Sequence, residues 1–197
     1  MRKTALLAVM SGFFFLACLA QAQQGDAAFG GGTLVSSGSC DPATGLCPEK
    51  GGFYINLGAD VIFHKRLGIG FDADWRAGQG VYGPTGGQPY RPILFDFNGV
   101  YQPRISKKVG ADLVAGIGWQ TTRFYLPFCT NSFTCNNYTS SNHFLVDVGA
   151  GIRYYVWGHV FVRPEARYYH IVNNTDVFSS GNVVRVGASI GYTIGPD

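Results

Sequence analysis

Residues 53–63 read Phe-Tyr-Ile-Asn-Leu-Gly-Ala-Asp-Val-Ile-Phe, and residues 67–76 read Leu-Gly-Ile-Gly-Phe-Asp-Ala-Asp-Trp-Arg. In the first, Phe53, Ile55, Leu57, Ala59, Val61 and Phe63 occupy every second position, with Tyr54, Asn56, Gly58, Asp60 and Ile62 between them. In the second, Leu67, Ile69, Phe71, Ala73 and Trp75 alternate with Gly68, Gly70, Asp72, Asp74 and Arg76. A repeat of two marks a β-strand, whose successive side chains point to opposite faces. The make-up of the polar face then separates two kinds of sheet. A half-solvated soluble sheet offers Lys, Thr and Ser to water, whereas here the polar face is Gly, Asp and Arg. An outer-membrane barrel turns its apolar face to lipid and its polar face to an enclosed lumen, which is the pattern of these two stretches.

The alternation recurs along the chain and predicts eight strands, at about 27–36, 53–63, 67–76, 93–101, 109–125, 144–156, 160–168 and 184–192. The first is the weakest, because Gly30, Gly31 and Gly32 blur the pattern. Connections alternate in length. Residues 64–66, 103–108 and 158–159 form short turns, while 38–51, 77–91, 126–142 and 173–181 form long loops. Short periplasmic turns and long extracellular loops are the expected asymmetry of such a barrel, and an even strand number leaves both termini in the periplasm. The expected fold is therefore all-β, an eight-stranded antiparallel up-and-down transmembrane β-barrel in the bacterial outer membrane. Pro164 should force a bulge or a local break, since proline removes a ladder hydrogen bond and a closed barrel has no edge to hide it. Outward aromatics are expected as interfacial belts, Trp75 and Trp119 toward the outer end and Tyr101, Tyr154, Trp157 and Tyr192 toward the periplasmic end.

The N-terminus agrees on compartment. Arg2 and Lys3 precede an apolar run from Ala5 to Ala20, followed by Gln21 and Ala22. This is the layout of a cleavable signal peptide over 1–22, leaving 23–197 as one barrel domain. A lipoprotein signal acylated at Cys18 is the competing reading, against which Phe15, Leu16 and Ala17 are a poor match to its usual preceding residues. Of 15 basic and 12 acidic residues, two basic ones leave with the leader, so the mature chain is nearly neutral and offers no basic patch for nucleic acid. With 28 Gly, 15 Phe and 11 Tyr and only 14% charged residues, the chain does not have the composition of a disordered one.

Beyond the leader four cysteines remain, an even number that suits an oxidising compartment. Each local pair lies in its own polar loop, so the expected disulfides are Cys40 with Cys47 and Cys129 with Cys135. A metal site is the rival, but the spacing is not Cys-x-x-Cys and no His adjoins either pair. Neither a metal nor a cofactor is expected.

Inward positions supply Asp60, Asp72, Asp74, Asp96, Asp112, Asp147 and Glu165 against Arg76, Arg153, Arg163, Arg167 and Arg185. Eight strands enclose an interior that side chains can fill. Unpaired buried charge is costly, so these groups are expected to neutralise one another in a nearly dry network, with inward glycines making room for the arginines.

At the C-terminus Arg185, Gly187, Ile190 and Tyr192 are similar to the barrel-insertion signal of polar, x, Gly, x, x, hydrophobic, x, aromatic. With the strand pattern, the chain resembles the small eight-stranded outer-membrane barrels of Gram-negative bacteria, the OmpA-like transmembrane domain family, over essentially its whole mature length. Such proteins usually end on the aromatic residue, whereas Thr193 to Asp197 follow here. The resemblance implies outer-membrane lipid and lipopolysaccharide as surroundings and the barrel-assembly machinery as a partner during insertion.

Three functions compete. Loops carrying Tyr82, Tyr90, Phe128, Phe133, Tyr138 and Phe178 would expose aromatic groups to an extracellular surface partner, in a structural, envelope-interaction or adhesion role. A narrow porin-like channel for small solutes or ions is the alternative. An outer-membrane lipid-modifying enzyme is the third; it would have to use His143 and His170 with Ser140, Ser141, Ser179 or Ser180 at the outer rim, and no motif links them. No catalytic residue is assigned.

Overall fold

The computed structural model describes residues 24–82, 87–125, 128–131 and 134–195, with the backbone alone at 82, 128–131 and 134–136. The expected leader at 1–22 lies outside these residues. Eight long strands form a meander: β1 (Gln24–Ser36), β2 (Gly52–His64), β3 (Leu67–Arg76), β4 (Gln88–Tyr101), β5 (Val109–Phe124), β6 (Thr139–Trp157), β7 (Val160–Ile171) and β8 (Asn182–Ile194). Each pairs antiparallel with the next. β8 returns to β1, from Gly25 opposite Ile194 to Ser36 opposite Val183, so the barrel is closed.

The surface is inverted relative to a soluble domain. Phe53 is 61% exposed and Ile190 63%, while Asp74 and Asp96 are 0% exposed and Arg185 1%. A continuous apolar exterior around a charged interior is stable only where the exterior meets lipid. Among the described residues no helix is long and apolar enough to cross a membrane; the strands are the crossing elements.

Six of the eight strands are longer than the alternation predicts, while β3 matches its predicted bounds and β5 ends one residue early. β5 has 16 residues and β6 has 19, against the roughly 9–11 that a tilted strand needs to cross the hydrocarbon layer. Their hairpin therefore extends beyond the membrane and carries a smaller one at its top, Phe128–Asn131 paired with Thr134–Asn136. A short strand, Gly80–Tyr82, folds against the start of β4.

The short connections are tight. Lys65 and Arg66 hold positive φ, 40° and 74°, as the two central residues of a hairpin turn normally filled by Asn-Gly. In the 102–108 turn, Ser106 Oγ accepts from the amides of Lys108 at 3.3 Å and Val109 at 3.1 Å. Pro164 produces a break without a bulge. It faces Ala188 of β8, but on the β6 side the ladder passes from Val162 opposite Tyr154 to Glu165 opposite Gly151 with no change of register. The β6–β7 register shift lies instead between Val160 and Phe161.

The glycines that blur β1 have a packing role at the seam. A Cβ on Gly32 would lie 2.7 Å from the Gly187 Cα, and one on Gly187 would lie 2.6 Å from the Gly31 carbonyl oxygen. Only glycine lets β1 and β8 approach this closely on the crowded inner face. Outward aromatics fall at two heights: Trp119 stacks on Phe95 and meets Phe144 edge-on near the long-loop end, while Tyr101, Tyr154 and Tyr192 sit near the short-turn end.

Candidate functional site

Four arginines cross the lumen in successive layers. At the short-turn end, Arg153 Nη1 lies 2.5 Å from Asp26 Oδ2 and its Nη2 lies 3.1 Å from Asp112 Oδ2, with the guanidinium 4.1 Å above the Phe161 ring. Arg163 is next, with Nε 3.1 Å from Glu165 and Nη1 3.4 Å from Asp60 and 3.6 Å from Asp112. Arg167 Nη2 reaches Asp72 at 2.5 Å, and its Nη1 reaches Asp96 at 3.1 Å and Asp147 at 3.9 Å. Arg185 meets Asp74 at 3.0 Å and also pairs with Glu165. The period of two on β7 creates this stack, because Arg163, Glu165 and Arg167 all point inward one above another.

Two expectations change here. Arg76, the last residue of β3, lies at the outer mouth, where it donates to the carbonyls of Gly51 at 2.9 Å and Gly78 at 3.1 Å. Alternation gives a residue's face but not its height, and this height takes Arg76 out of the ion-pair stack. Asp26 takes a place in the stack that the sequence reading missed, because it precedes the glycines that obscured β1; carrying the inward phase of Leu34, Gly32, Gly30 and Ala28 back one step would have found it. The charges are also unequal. Among the described residues eight buried acids of the shaft, Asp26, Asp60, Asp72, Asp74, Asp96, Asp112, Asp147 and Glu165, face four buried arginines. Neutral donors take up part of the excess: Gln24 and Gln102 donate to Asp26 at 2.9 and 3.2 Å, Asn98 to Asp72 at 3.2 Å and to Asp96, and the Tyr169 hydroxyl to Asp74 at 3.1 Å.

Above the stack lies an apolar layer of inward side chains, Leu34, Tyr54, Leu94, Leu145, Tyr169, Ile171 and Val183. The 37–51 loop closes over it. Glu49 turns inward and is buried, accepting from the Tyr54 hydroxyl and from Gln120 Nε2, each at 2.6 Å. Burial pushes the Glu49 carboxyl above its ordinary pKa, and the two hydrogen bonds and the Arg76 charge oppose this only in part. The Lys50 amide donates to the Tyr90 hydroxyl at 2.7 Å, and the Tyr90 ring lies 5.6 Å from that of Phe178 in the 172–181 loop. Tyr90 and Phe178, expected as exposed loop aromatics, are each 1% exposed and form part of this lid. Tyr138 is 46% exposed, with the Arg123 guanidinium 5.1 Å from its ring. The side chains of Tyr82, Phe128 and Phe133 lie outside the described residues.

Cys40 and Cys47 form a disulfide within the lid loop. Inside that ring Asp41 accepts from Thr44 Oγ1 at 2.7 Å and from the Ala43 amide at 2.9 Å. These bonds, Thr44 first, hold its carboxyl below the usual range. The lid is tied to the 172–181 loop by the Ser179 amide, which donates to the Cys47 carbonyl at 3.1 Å. Cys129 and Cys135 stand directly opposite in the backbone register of the outer hairpin; their sulfur atoms lie outside the described residues.

The rim histidines do not form a relay. His143 Nε2 lies 2.7 Å from Ser141 Oγ and 3.5 Å from Asp176 Oδ1, so both partners share one ring nitrogen. A Ser-His-acid triad needs the two ring nitrogens engaged separately. His170 Nδ1 contacts Asn182 Oδ1 at 2.9 Å, while Ser179 Oγ donates to the Ser39 carbonyl. Among the described residues no group of three or more His, Cys, Asp or Glu is placed to hold a metal ion.

The model of the outer membrane protein beta-barrel domain family matches residues 5–193. The chain belongs to that family. Solved members of its fold include the neisserial surface protein A, at 15% identity and a TM-score of 0.62, covering 87% of this chain and 97% of that one. The attachment invasion locus protein Ail of Yersinia pestis, crystallised with the heparin analogue sucrose octasulfate, matches at 14% identity and a TM-score of 0.54, covering 87% and 98%. The outer membrane protein OprG of Pseudomonas aeruginosa matches at 13% identity and a TM-score of 0.54, covering 89% and 98%. At these identities the likeness is one of fold. No curated protein matches the chain. As a member of the family, this protein is an outer-membrane barrel. Ile190 and Tyr192 of the C-terminal motif face outward, while Arg185 and Gly187 face the lumen against β1.

Proposed function

We propose that this barrel is a closed scaffold that presents its long loops to an extracellular surface partner, in adhesion or another envelope interaction. The carrying observation is the double closure of the lumen. Layered ion pairs fill the shaft, and the apolar layer with the Glu49 lid seals the outer mouth. A barrel whose interior is committed to structure has its free surface in its loops, and β5 and β6 are the longest strands among the described residues. In this reading the short turns and both termini face the periplasm, the leader at 1–22 is removed, lipopolysaccharide surrounds the outer rim, and the C-terminal motif is read by the barrel-assembly machinery. The Ail likeness supports adhesion, since that protein's name records attachment and its structure carries a polyanionic heparin analogue. Catalysis is disfavoured by the single shared nitrogen of His143.

The porin-like reading has one observation in its favour, a cavity of about 430 Å³ at the short-turn end lined by Gln24, Lys65, Arg66, Gln102, Arg104 and Arg153, among others. Planar-bilayer recording of the refolded mature protein separates the two. Silence is the expected result, and steady discrete channels would replace the scaffold reading with the porin. Adhesion itself is tested by replacing residues 126–137 with Gly/Ser. Binding of expressing cells to host-cell surfaces should fall to background while the barrel stays folded, and unchanged binding would end that loop's role.

A further inference from the structure

The three short connections, 64–66, 102–108 and 158–159, carry five basic residues, Lys65, Arg66, Arg104, Lys107 and Lys108, and no Asp or Glu. Three of the five gather at one place. A cleft of about 480 Å³ is lined by Arg104, Lys107, Lys108, Tyr155, Val156, Trp157 and Gly158, a size ordinary for small-ligand sites. We propose that this cleft binds the phosphate of an anionic phospholipid in the inner leaflet of the outer membrane. This assignment of leaflet rests on the periplasmic placement of the short turns.

Two features make the cleft a built site. The first is a fixed backbone beneath the cations. Ser106 caps the turn, the Ile105 amide donates to the Val109 carbonyl at 2.9 Å, and the Tyr155 amide of β6 donates to the Lys108 carbonyl at 2.9 Å. The second is that one wall is basic and the other apolar. Trp157 is 84% exposed and Val156 56%, and Ile105 on the turn is 67% exposed. These residues continue the lipid-facing surface, at the height of Tyr101, Tyr154 and Tyr192. A small soluble anion would satisfy the ammonium and guanidinium groups and leave this wall uncovered. A phospholipid satisfies both halves, with its phosphate on Arg104, Lys107 and Lys108 and its glycerol and upper acyl carbons along Val156 and Trp157.

Each basic side chain beside an anionic lipid surface contributes about fivefold in affinity, so three should give a clear preference. The mature protein is reconstituted in nanodiscs of phosphatidylglycerol and phosphatidylcholine, then released into mild detergent for native mass spectrometry of retained lipid. The wild type is expected to keep phosphatidylglycerol over phosphatidylcholine by roughly tenfold or more. Arg104→Gln with Lys107→Gln and Lys108→Gln, all on exposed side chains, should lose that preference, and Lys65→Gln with Arg66→Gln should keep it. Equal retention of both lipids by the wild type, or equal loss in both variants, would overturn the cleft. Displacement of the lipid by excess inorganic phosphate would overturn the phospholipid in favour of a soluble anion. Labelling of Lys107→Cys by an impermeant maleimide on intact cells would overturn the orientation, and the leaflet with it, even where the purified protein retains the lipid. Labelling only after permeabilisation supports both.

Discussion

Arg163 is the residue on which the lumen depends most, because its guanidinium is shared by Glu165, Asp60 and Asp112 within 3.6 Å and by Asp72 at 4.0 Å. With acids already in excess, removing it strips one guanidinium from each of these four carboxyl groups and leaves Asp60 with only the longer 3.8 Å contact to Arg153. Breaking a buried ion pair from one side costs about 3–5 kcal/mol. Arg163→Ala should therefore lower the unfolding free energy of the refolded barrel, obtained from urea titration, by an amount in that range, and a value within error of the wild type would show that the pairs are not structural. Glu49 supplies a pH-dependent counterpart. Its carboxyl is held above the ordinary 4.5 when the lid is docked, so the docked loop binds a proton more readily than the free loop. Docking is then strongest below that ordinary value and weakens as pH rises through the raised one. The Lys50 amide resonance, which reports the Tyr90 contact, should move over this window in the wild type and stay flat in Glu49→Gln; the same titration in both would exclude Glu49 as its source. At this scale the sequence reading succeeded for faces and failed for heights. Asp72, Asp74, Asp96, Asp112 and Asp147 are inside as the period requires, but nothing in a period of two told that Arg76 stands at the mouth or that Glu49, in a loop, turns inward.

Among the elements, the strands were legible because lipid demands an apolar outer face at every second residue. Where strands leave the lipid that demand ends, which is why Gln88–Pro92 of β4 and Thr139–His143 of β6 escaped detection: their outward positions meet water and carry no apolar signature. Loops were the least legible, since Tyr90 and Phe178 are polar-loop aromatics by sequence and lid residues by packing. The Lys65–Arg66 turn is a further element-level case. Two side-chain-bearing residues at positive φ store strain of order 1 kcal/mol or more. Replacing them with Asn-Gly should raise the unfolding free energy by roughly 1 kcal/mol, with the lumen and lid unchanged; no gain would mean that their side chains compensate through contacts with the vestibule they line. The lid's own cross-link closes a ring of sequence separation 7, so Cys40→Ser with Cys47→Ser should cost at most roughly 2–3 kcal/mol and loosen the lid without opening the barrel, as seen in lid amide linewidths.

For the molecule as a whole, the excess of acid over arginine in the shaft fixes what any leak would carry. Variants that breach both closures, for example Arg167→Ala combined with deletion of residues 41–47, should conduct and should prefer cations, and an anion-selective current would mean that the basic vestibule at the short-turn end, rather than the acidic shaft, controls passage. The β1–β8 seam has a different outcome, one of timing. Gly25 meets Ile194 and Ser36 meets Val183, so the earliest-made strand of the barrel finds one of its two partners only when the last has been delivered. Until then both carry a bare row of amides and carbonyls that hydrocarbon cannot satisfy. Contacts this distant in sequence make folding slow. Closure consequently waits on the last strand: a chain that stops before Asn182 offers β1 no second partner and leaves the ring open.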